Sequence, residues 1–479
     1  MKRTLSLLAA ASLAAAMAFP AGVADGRALP AVSPAFSDAL LISTGTTPPT
    51  EAQCEAAGRT CFTPQAIQAA YNVGPLYARG WNGKGVTIAV VDSFGSDTIA
   101  HDLHVFDQAF GVQSMCGEEG VTCSAGMPTF SVLNLQGSPA TKAPPTTSKG
   151  TGLQDRAAWA LEVSLDVETA HAIAPQANII LVTTPVAETL GVQGLPQMMA
   201  AEQYVVDNHL AQVITQSFGT GEDAFGSRQS LLNLRHAFQS AAANGVTVLA
   251  SSGDGGTVNT FKQPVKNPRT IPFPSVIWPA SDPLVTSVGG TYLCTNPTAG
   301  TNDPRTIYVG PAGRCNANPT QAEVGWTFSG GGFSDVFAKP AYQNTLPTGS
   351  TAIGQWRGVP DVAFQASAGT GALVYLSLPP DGLSGLLCGS APCSTGWYDI
   401  GGTSLSSPQF AGLVAIADQI NGGGLGPINP GLYLIGSNAS RYASDFFDVT
   451  TGNNTQTAPA MPGYPATTGW DPVLSLIHI

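Results

Sequence analysis

Ser404 lies in the stretch Gly401-Gly402-Thr403-Ser404-Leu405-Ser406-Ser407-Pro408, ahead of the apolar run Gln409 to Ile420. Two glycines lead into the hydroxyl residues, and the proline is expected to open a helix carrying Phe410, Leu413, Val414 and Ile416. This is how a reactive serine is presented. Glycine lets a substrate backbone come close, and a helix N-terminus puts partial positive charge where an oxyanion develops. The same residues also fit a Ser/Thr-rich loop capping a buried helix, so the chemistry depends on whether the chain supplies a base and an oxyanion donor.

Two other stretches could supply them. Glu162 and Asp166 stand four residues apart within Glu162-Val163-Ser164-Leu165-Asp166, which puts both carboxylates on one face of a helix. Two adjacent like charges repel. Sharing a proton removes the repulsion and splits the titration, leaving one carboxylate able to take a proton while the other orients it. A solvated acidic face is the bland alternative, but Trp159, Leu161, Val163, Leu165 and Val167 make a covered helix the expectation. The second stretch is Ser251-Ser252-Gly253-Asp254-Gly255-Gly256. Asp254 between glycines can simply cap a turn. If protonated, it can instead donate a hydrogen bond to an oxyanion.

The elements that must position these residues follow from apolar patterning. Val86 to Asp92 is a near-continuous β-branched run, and similar runs recur at Asn178 to Val182, Val213 to Gln216, Val246 to Ala250 and Leu284 to Val288. Helical stretches at Arg156 to Ile173, Gln197 to His209 and Ser227 to Ala243 separate several of them, and Thr63-Pro64 opens another helix running to Tyr71. Alternating strands and helices predict an α/β domain with a mostly parallel sheet, whose ligands sit beyond the carboxyl ends of the strands.

At 479 residues with 43% hydrophobic content the chain can build a large core. A net charge of -12 with 10% charged residues leaves no basic footprint for nucleic acid or an anionic membrane, so neither is an expected partner. Lys2 and Arg3, the run Leu5 to Phe19 and Gly22-Val23-Ala24 read as an export signal over 1–24. A secreted, soluble, monomeric product is expected. Residues 25–60, rich in Ala, Pro, Ser and Thr, read as a linker, and residues 61–479 as the folded domain. The eight cysteines fall into close couples, Cys54/Cys61, Cys116/Cys123, Cys294/Cys315 and Cys388/Cys393, as local disulfides of an oxidising compartment would.

Taken together and in order, Glu162/Asp166, Ser252 to Gly255 and Gly402-Thr403-Ser404 with Pro408 resemble the sedolisins, the serine-carboxyl peptidases. The likeness runs from about Phe62 to Asp471 and includes Ser329-Gly330-Gly331-Gly332-Phe333-Ser334 and Gly358 to Val362. It implies a subtilisin-like fold, a mostly parallel central sheet flanked by helices. It also implies a serine-type peptidase working on peptide or protein substrates at acidic pH, with either endopeptidase or tripeptidyl-peptidase action. By the same resemblance Ser404 is the nucleophile, Glu162 its base and Asp166 the residue that orients the base, with Asp254 in the oxyanion hole. The Ser329 to Gly332 loop would line the cleft and pair with an extended peptide. Asp448 and Asp471, with the carbonyls of Val449, Thr467 and Gly469, would bind calcium, a hard cation suited to oxygen ligands.

The resemblance implies a folded pro-region where only the short linker is read, and a Thr-Gly-Leu-Gly-like turn where Val473 to Ile479 stands, so this end is expected to be a truncation or a sequence artefact. Two rival readings use the same scaffold. A subtilisin-like Asp-His-Ser set would start at Asp92, followed by His101 and His104, but no His-Gly-Thr-His stretch is present. Asp92 is therefore read as a structural strand end and the histidines as surface groups. The other rival is a catalytically inactive secreted peptide-binding protein.

Overall fold

The computed structural model of the chain describes residues 33–34, 36–135, 151–184, 194–262, 269–296, 314–318, 320–379, 385–457 and 460–476. The expected export signal lies outside these residues. The strands that position the site are β1 Phe36–Ser43, β2 Thr87–Ser93, β3 Phe130–Asn134, β4 Asn178–Thr184, β5 Val213–Gln216, β6 Thr247–Ser251, β7 Thr286–Leu293, β8 Glu323–Gly325, β9 Val362–Gln365, β10 Ala372–Leu376 and β11 Gly396–Gly402. The helices are α1 Glu51–Ala56, α2 Pro64–Ala70, α3 Ile99–Phe110, α4 Thr151–Ile173, α5 Leu195–Asp207 and α6 Thr403–Asn421.

All five β-branched runs are strands, and they are buried because helices cover both faces of the sheet they form. Its order is β8-β7-β6-β5-β2-β4-β3, with β9 also on β7. Every pairing is parallel except β7 with β8. The register sets Val91 beside both Val182 and Gln216, and Ser251 beside Val288, so the carboxyl ends of β2, β4, β5 and β6 open on one side. This is the predicted subtilisin-like, mostly parallel α/β architecture.

The linker expectation fails from residue 36 onward. β1 pairs antiparallel with β11, placing Asp38 opposite Gly401 and Leu40 opposite Asp399, and β10 flanks β11 on its other edge. The run Ala39-Leu40-Leu41-Ile42 forms this strand, a signal diluted by the Ala, Pro, Ser and Thr around it. α1 follows, capped by Thr50 and tied by Cys54 to Cys61. All four expected disulfides are present.

The helix predicted over 227–243 is two helices, Arg228–Leu232 and His236–Ala243. α4 and α6 lie against each other below the site. A Cβ added at Gly412 of α6 would stand 2.7 Å from Ile173 Cβ and 3.2 Å from the Ala170 carbonyl, so the contact requires glycine there. This close approach brings the acid-bearing helix beside the serine-bearing one.

Candidate active site

Ser404 sits at a strand-to-helix junction. β11 ends at Gly402, whose φ of 138° disfavours a side chain, and α6 begins at the next residue. Gly401 is required by contact, since a Cβ there would fall 2.2 Å from the Ala368 amide nitrogen. The helix therefore starts five residues earlier than expected, and Pro408 lies inside it. As the sixth helical residue, Pro408 costs one intrahelical bond, the one its N–H would give to the Ser404 carbonyl. Ser404 thus occupies the first turn, with its side chain buried.

The expected carboxyls converge on it. Glu162 and Asp166 are fully buried on one face of α4, as the covered-helix reading predicts. Ser217, just beyond β5, donates to Asp166 Oδ1 at 3.0 Å. Neither oxygen of Glu162 has a hydrogen bond of good geometry, nor does Ser404 Oγ. The Ser404 hydroxyl is nonetheless close enough to favour the Glu162 anion. Burial first, and then the nearby Asp92, push the Glu162 carboxyl well above the usual range. Burial, Asp92 and Glu162 do the same to Asp166.

Asp92, read from the sequence as a structural strand end, belongs to this acid group. It lies at the end of β2, is fully buried, and neither of its oxygens has a partner; burial raises its pKa to about 8. Three acids therefore share one pocket with no cation among the described residues. The signal available in the sequence was position: β2 is flanked by β4 and β5, so its last residues face the same cleft as the other strand ends.

Asp254 follows β6 and closes the site from the other side. Its Oδ1 accepts the Thr403 amide at 2.7 Å and the Thr403 hydroxyl at 2.8 Å, while Oδ2 is buried without a partner. Burial raises Asp254 to about 7 against the lowering effect of both Thr403 bonds.

The Ser329 to Gly332 loop braces this turn. Gly330 donates to the Gly253 carbonyl at 2.7 Å, and a Cβ at Gly330 would lie 2.0 Å from the Ser252 carbonyl oxygen. A Cβ at Gly331 would lie 1.8 Å from the Pro472 carbonyl oxygen, and Ser329 Oγ donates to the Val473 carbonyl at 2.7 Å. At Gly330 and Gly331 packing on residues 252–253 and 472 itself excludes a side chain. Val473, Leu474 and Leu476, read as an off-pattern end, are buried.

Asp448 and Asp471 are also brought together. Asp448 Oδ2 accepts the Gly469 amide at 3.0 Å, and Asp471 Oδ2 accepts the Thr467 amide at 2.8 Å. Burial chiefly, and Asp448 in addition, hold Asp471 up at about 7. Asp448 Oδ1 is buried without a well-formed hydrogen bond, and neither carboxyl has a cationic side-chain partner among the described residues. Among those residues no cluster of three or more His, Cys, Asp or Glu could hold a metal, so a cation here would depend on backbone carbonyls such as those of Val449, Thr467 and Gly469.

Among the described residues, three histidines are engaged with acids outside this group. His101 pairs with Glu119 at 2.6 Å, His104 with Glu118 at 3.0 Å, and His171 with Asp107 at 3.2 Å. His171, expected at the surface with the others, is fully buried on α4 facing α3, where its Nε2 meets Asp107 and the Gln113 carbonyl while Nδ1 has no partner. The Asp-His-Ser reading has its first aspartate in place, but His101, His104 and His171 are all committed to other acids.

Residues 149–427 match the family model described as "Subtilase family". Kumamolisin of Bacillus sp. (strain MN-32) is 29% identical over 429 residues, covering 89% of this chain and 63% of that protein. Sedolisin of Pseudomonas sp. (strain 101) is 36% identical over 281 residues, covering 59% and 41%. Tripeptidyl-peptidase SED4 of Arthroderma otae is 32% identical over 292 residues, covering 56% and 40%. The chain thus spans 63% or less of the length of these relatives. The solved structure of Pseudomonas sedolisin, a serine-carboxyl proteinase complexed with two molecules of pseudo-iodotyrostatin, superposes with a TM-score of 0.61 at 24% identity, covering 88% of this chain and 95% of that one, and supports the fold. The chain belongs to the subtilase family, and within it to the sedolisins.

Proposed function

We propose that the chain is a secreted serine-type peptidase that hydrolyses peptide bonds at acidic pH. The observation that carries this reading is the burial of Glu162 against Ser404, with only Asp92, Asp254 and the Ser404 and Ser217 hydroxyls acting on it among the described residues. Ser404 Oγ attacks the substrate carbonyl carbon while Glu162, ionised, takes its proton. Asp166, anchored by Ser217, orients Glu162 and shares its charge. The tetrahedral oxyanion is met by protonated Asp254 and by free amides of the first turn of α6. Glu162 returns the proton to the leaving amine, and water then releases the acyl group by the same steps in reverse.

Protonation states bound the working range. Burial keeps Glu162 largely protonated in acid, so the base works through the ionised fraction that the Ser404 hydroxyl favours. Asp254, by contrast, must keep its proton, so activity should fall as pH rises through about 7. Asp448 and Asp471, with the carbonyls of Val449, Thr467 and Gly469, would hold a calcium ion, whose charge would offset the repulsion between the two carboxyls. That ion would order the segment that props the Ser329 loop.

The test is a pH-rate profile with denatured protein substrate, wild type beside Ser404→Ala. Wild type should cleave at about pH 3 to 5, and the variant should lose activity by about 10⁵-fold or more. Folded, calcium-supplied wild type with no activity there would overturn the reading in favour of a peptide-binding protein.

A further inference from the structure

Thr403, the residue before the serine, engages Asp254 twice. Its amide donates to Asp254 Oδ1 at 2.7 Å, and its hydroxyl stands 2.8 Å from the same oxygen. The hydroxyl oxygen also accepts the Gly253 amide at 3.0 Å. Asp254 Oδ2 has no partner and is buried.

A protonated carboxyl has one carbonyl-like oxygen that accepts well and one hydroxyl oxygen that donates. A backbone N–H cannot reverse its role, so Oδ1 is the acceptor and the proton belongs on Oδ2. We propose that Thr403 is a positioning residue for peptide-bond hydrolysis: its amide and hydroxyl hold Asp254 Oδ1 as the acceptor, leaving Oδ2 to carry the proton offered to the substrate oxyanion. This rests on the reading of Asp254 as oxyanion donor.

Valine keeps both branches and so nearly the same shape, while removing the hydroxyl that donates to Asp254 and accepts the Gly253 amide. Thr403 Cγ2 packs near Gly290, at 3.5 Å from a Cβ built there, and that contact survives in valine. Among the described residues Glu162 on α4 is the titratable group that interacts with Asp254, and it is unaltered by the change. Both Thr403 bonds favour the Asp254 anion, so losing the hydroxyl moves the Asp254 titration upward.

The experiment compares wild type, T403S, T403V, D254A and D254A/T403V. T403V should lower kcat by about tenfold to a hundredfold, below the loss for a missing oxyanion donor, with KM within about twofold. Its alkaline limb should move to higher pH, T403S should recover most of kcat, and D254A/T403V should be no worse than D254A. A second readout does not depend on turnover: the infrared carbonyl stretch of the protonated carboxyl, assigned by its absence in D254A, should move to higher frequency in T403V. Wild-type kcat and pH profile in T403V would overturn the proposal, as would T403S as impaired as T403V, additive losses in the double variant, or an unshifted carbonyl band. Failure of the peptidase reading would be seen separately, as an inactive wild type, and the infrared comparison would still decide the role of Thr403.

Discussion

Helix α4 carries two acid-bearing faces, and they are treated differently. Toward α6, Glu162 has no well-formed hydrogen bond and Asp166 has one, to Ser217, with a third acid, Asp92, beside them. Toward α3, Glu168 accepts the Tyr375 amide at 2.9 Å, His171 meets both Asp107 and the Gln113 carbonyl, and Asp102 accepts from Thr98 at 2.7 Å. Both faces are buried, so burial does not distinguish them. What differs is commitment. On the second face each group has at least one fixed partner and a histidine offsets the acids, whereas the first face holds unmatched acids next to a hydroxyl. Single oxygens of Glu168, Asp102 and Asp107 also lack partners on the second face, but only on the first do partnerless acids lie beside a hydroxyl at the carboxyl ends of the strands, where a substrate would complete the set.

Removing the unmatched base should have the largest effect. Glu162→Gln keeps shape and abolishes proton acceptance, so kcat should fall by about 10³-fold or more. Little loss would favour a histidine base and erase the distinction between the faces. Asp254→Asn comes next. An amide donates at any pH, so the variant should keep measurable activity while losing the decline near pH 7 set by Asp254. A profile that still falls there would assign that limb to another group.

Asp92→Asn probes the shared pocket through stability. The folded-state pKa of Asp92 is raised from 3.8 to about 8, so the folded protein retains a proton that the unfolded chain releases. Its contribution is therefore fully present below the ordinary carboxylate range and is lost as pH rises toward about 8. The melting temperature of the variant should decline less than that of wild type across this interval, and identical slopes would remove Asp92 from the pocket. The smallest effect is expected on the matched face. Glu168→Gln retains the acceptor for Tyr375 and should change stability by about 1 kcal/mol in denaturant unfolding, with kcat unaltered. A kcat loss comparable to that of Glu162→Gln would mean the two faces are not separate.

Local pattern was enough for the five parallel strands, the acid helix and the four disulfides. β-branched runs, i, i+4 spacing and short cysteine separations each encode their outcome within a few residues. It was also enough to nominate Ser404, Glu162, Asp166 and Asp254. The start of α6 was misplaced because Pro408 is a strong local signal, whereas the true boundary is set by Gly402 and the bond from Thr403 to Asp254, a residue 149 positions away.

Tertiary structure alone decided the rest. Asp92 joins the acids only because β2 lies between β4 and β5, and β1 is a strand only because β11 offers it an edge. The glycines at 330 and 331 answer to backbone from residues 252 and 472. Ser404 itself was legible as a serine on a helix start, but its surroundings were not. Those depend on the close approach of α4 and α6 at Gly412, because desolvation and proton sharing arise only from groups that the fold brings together.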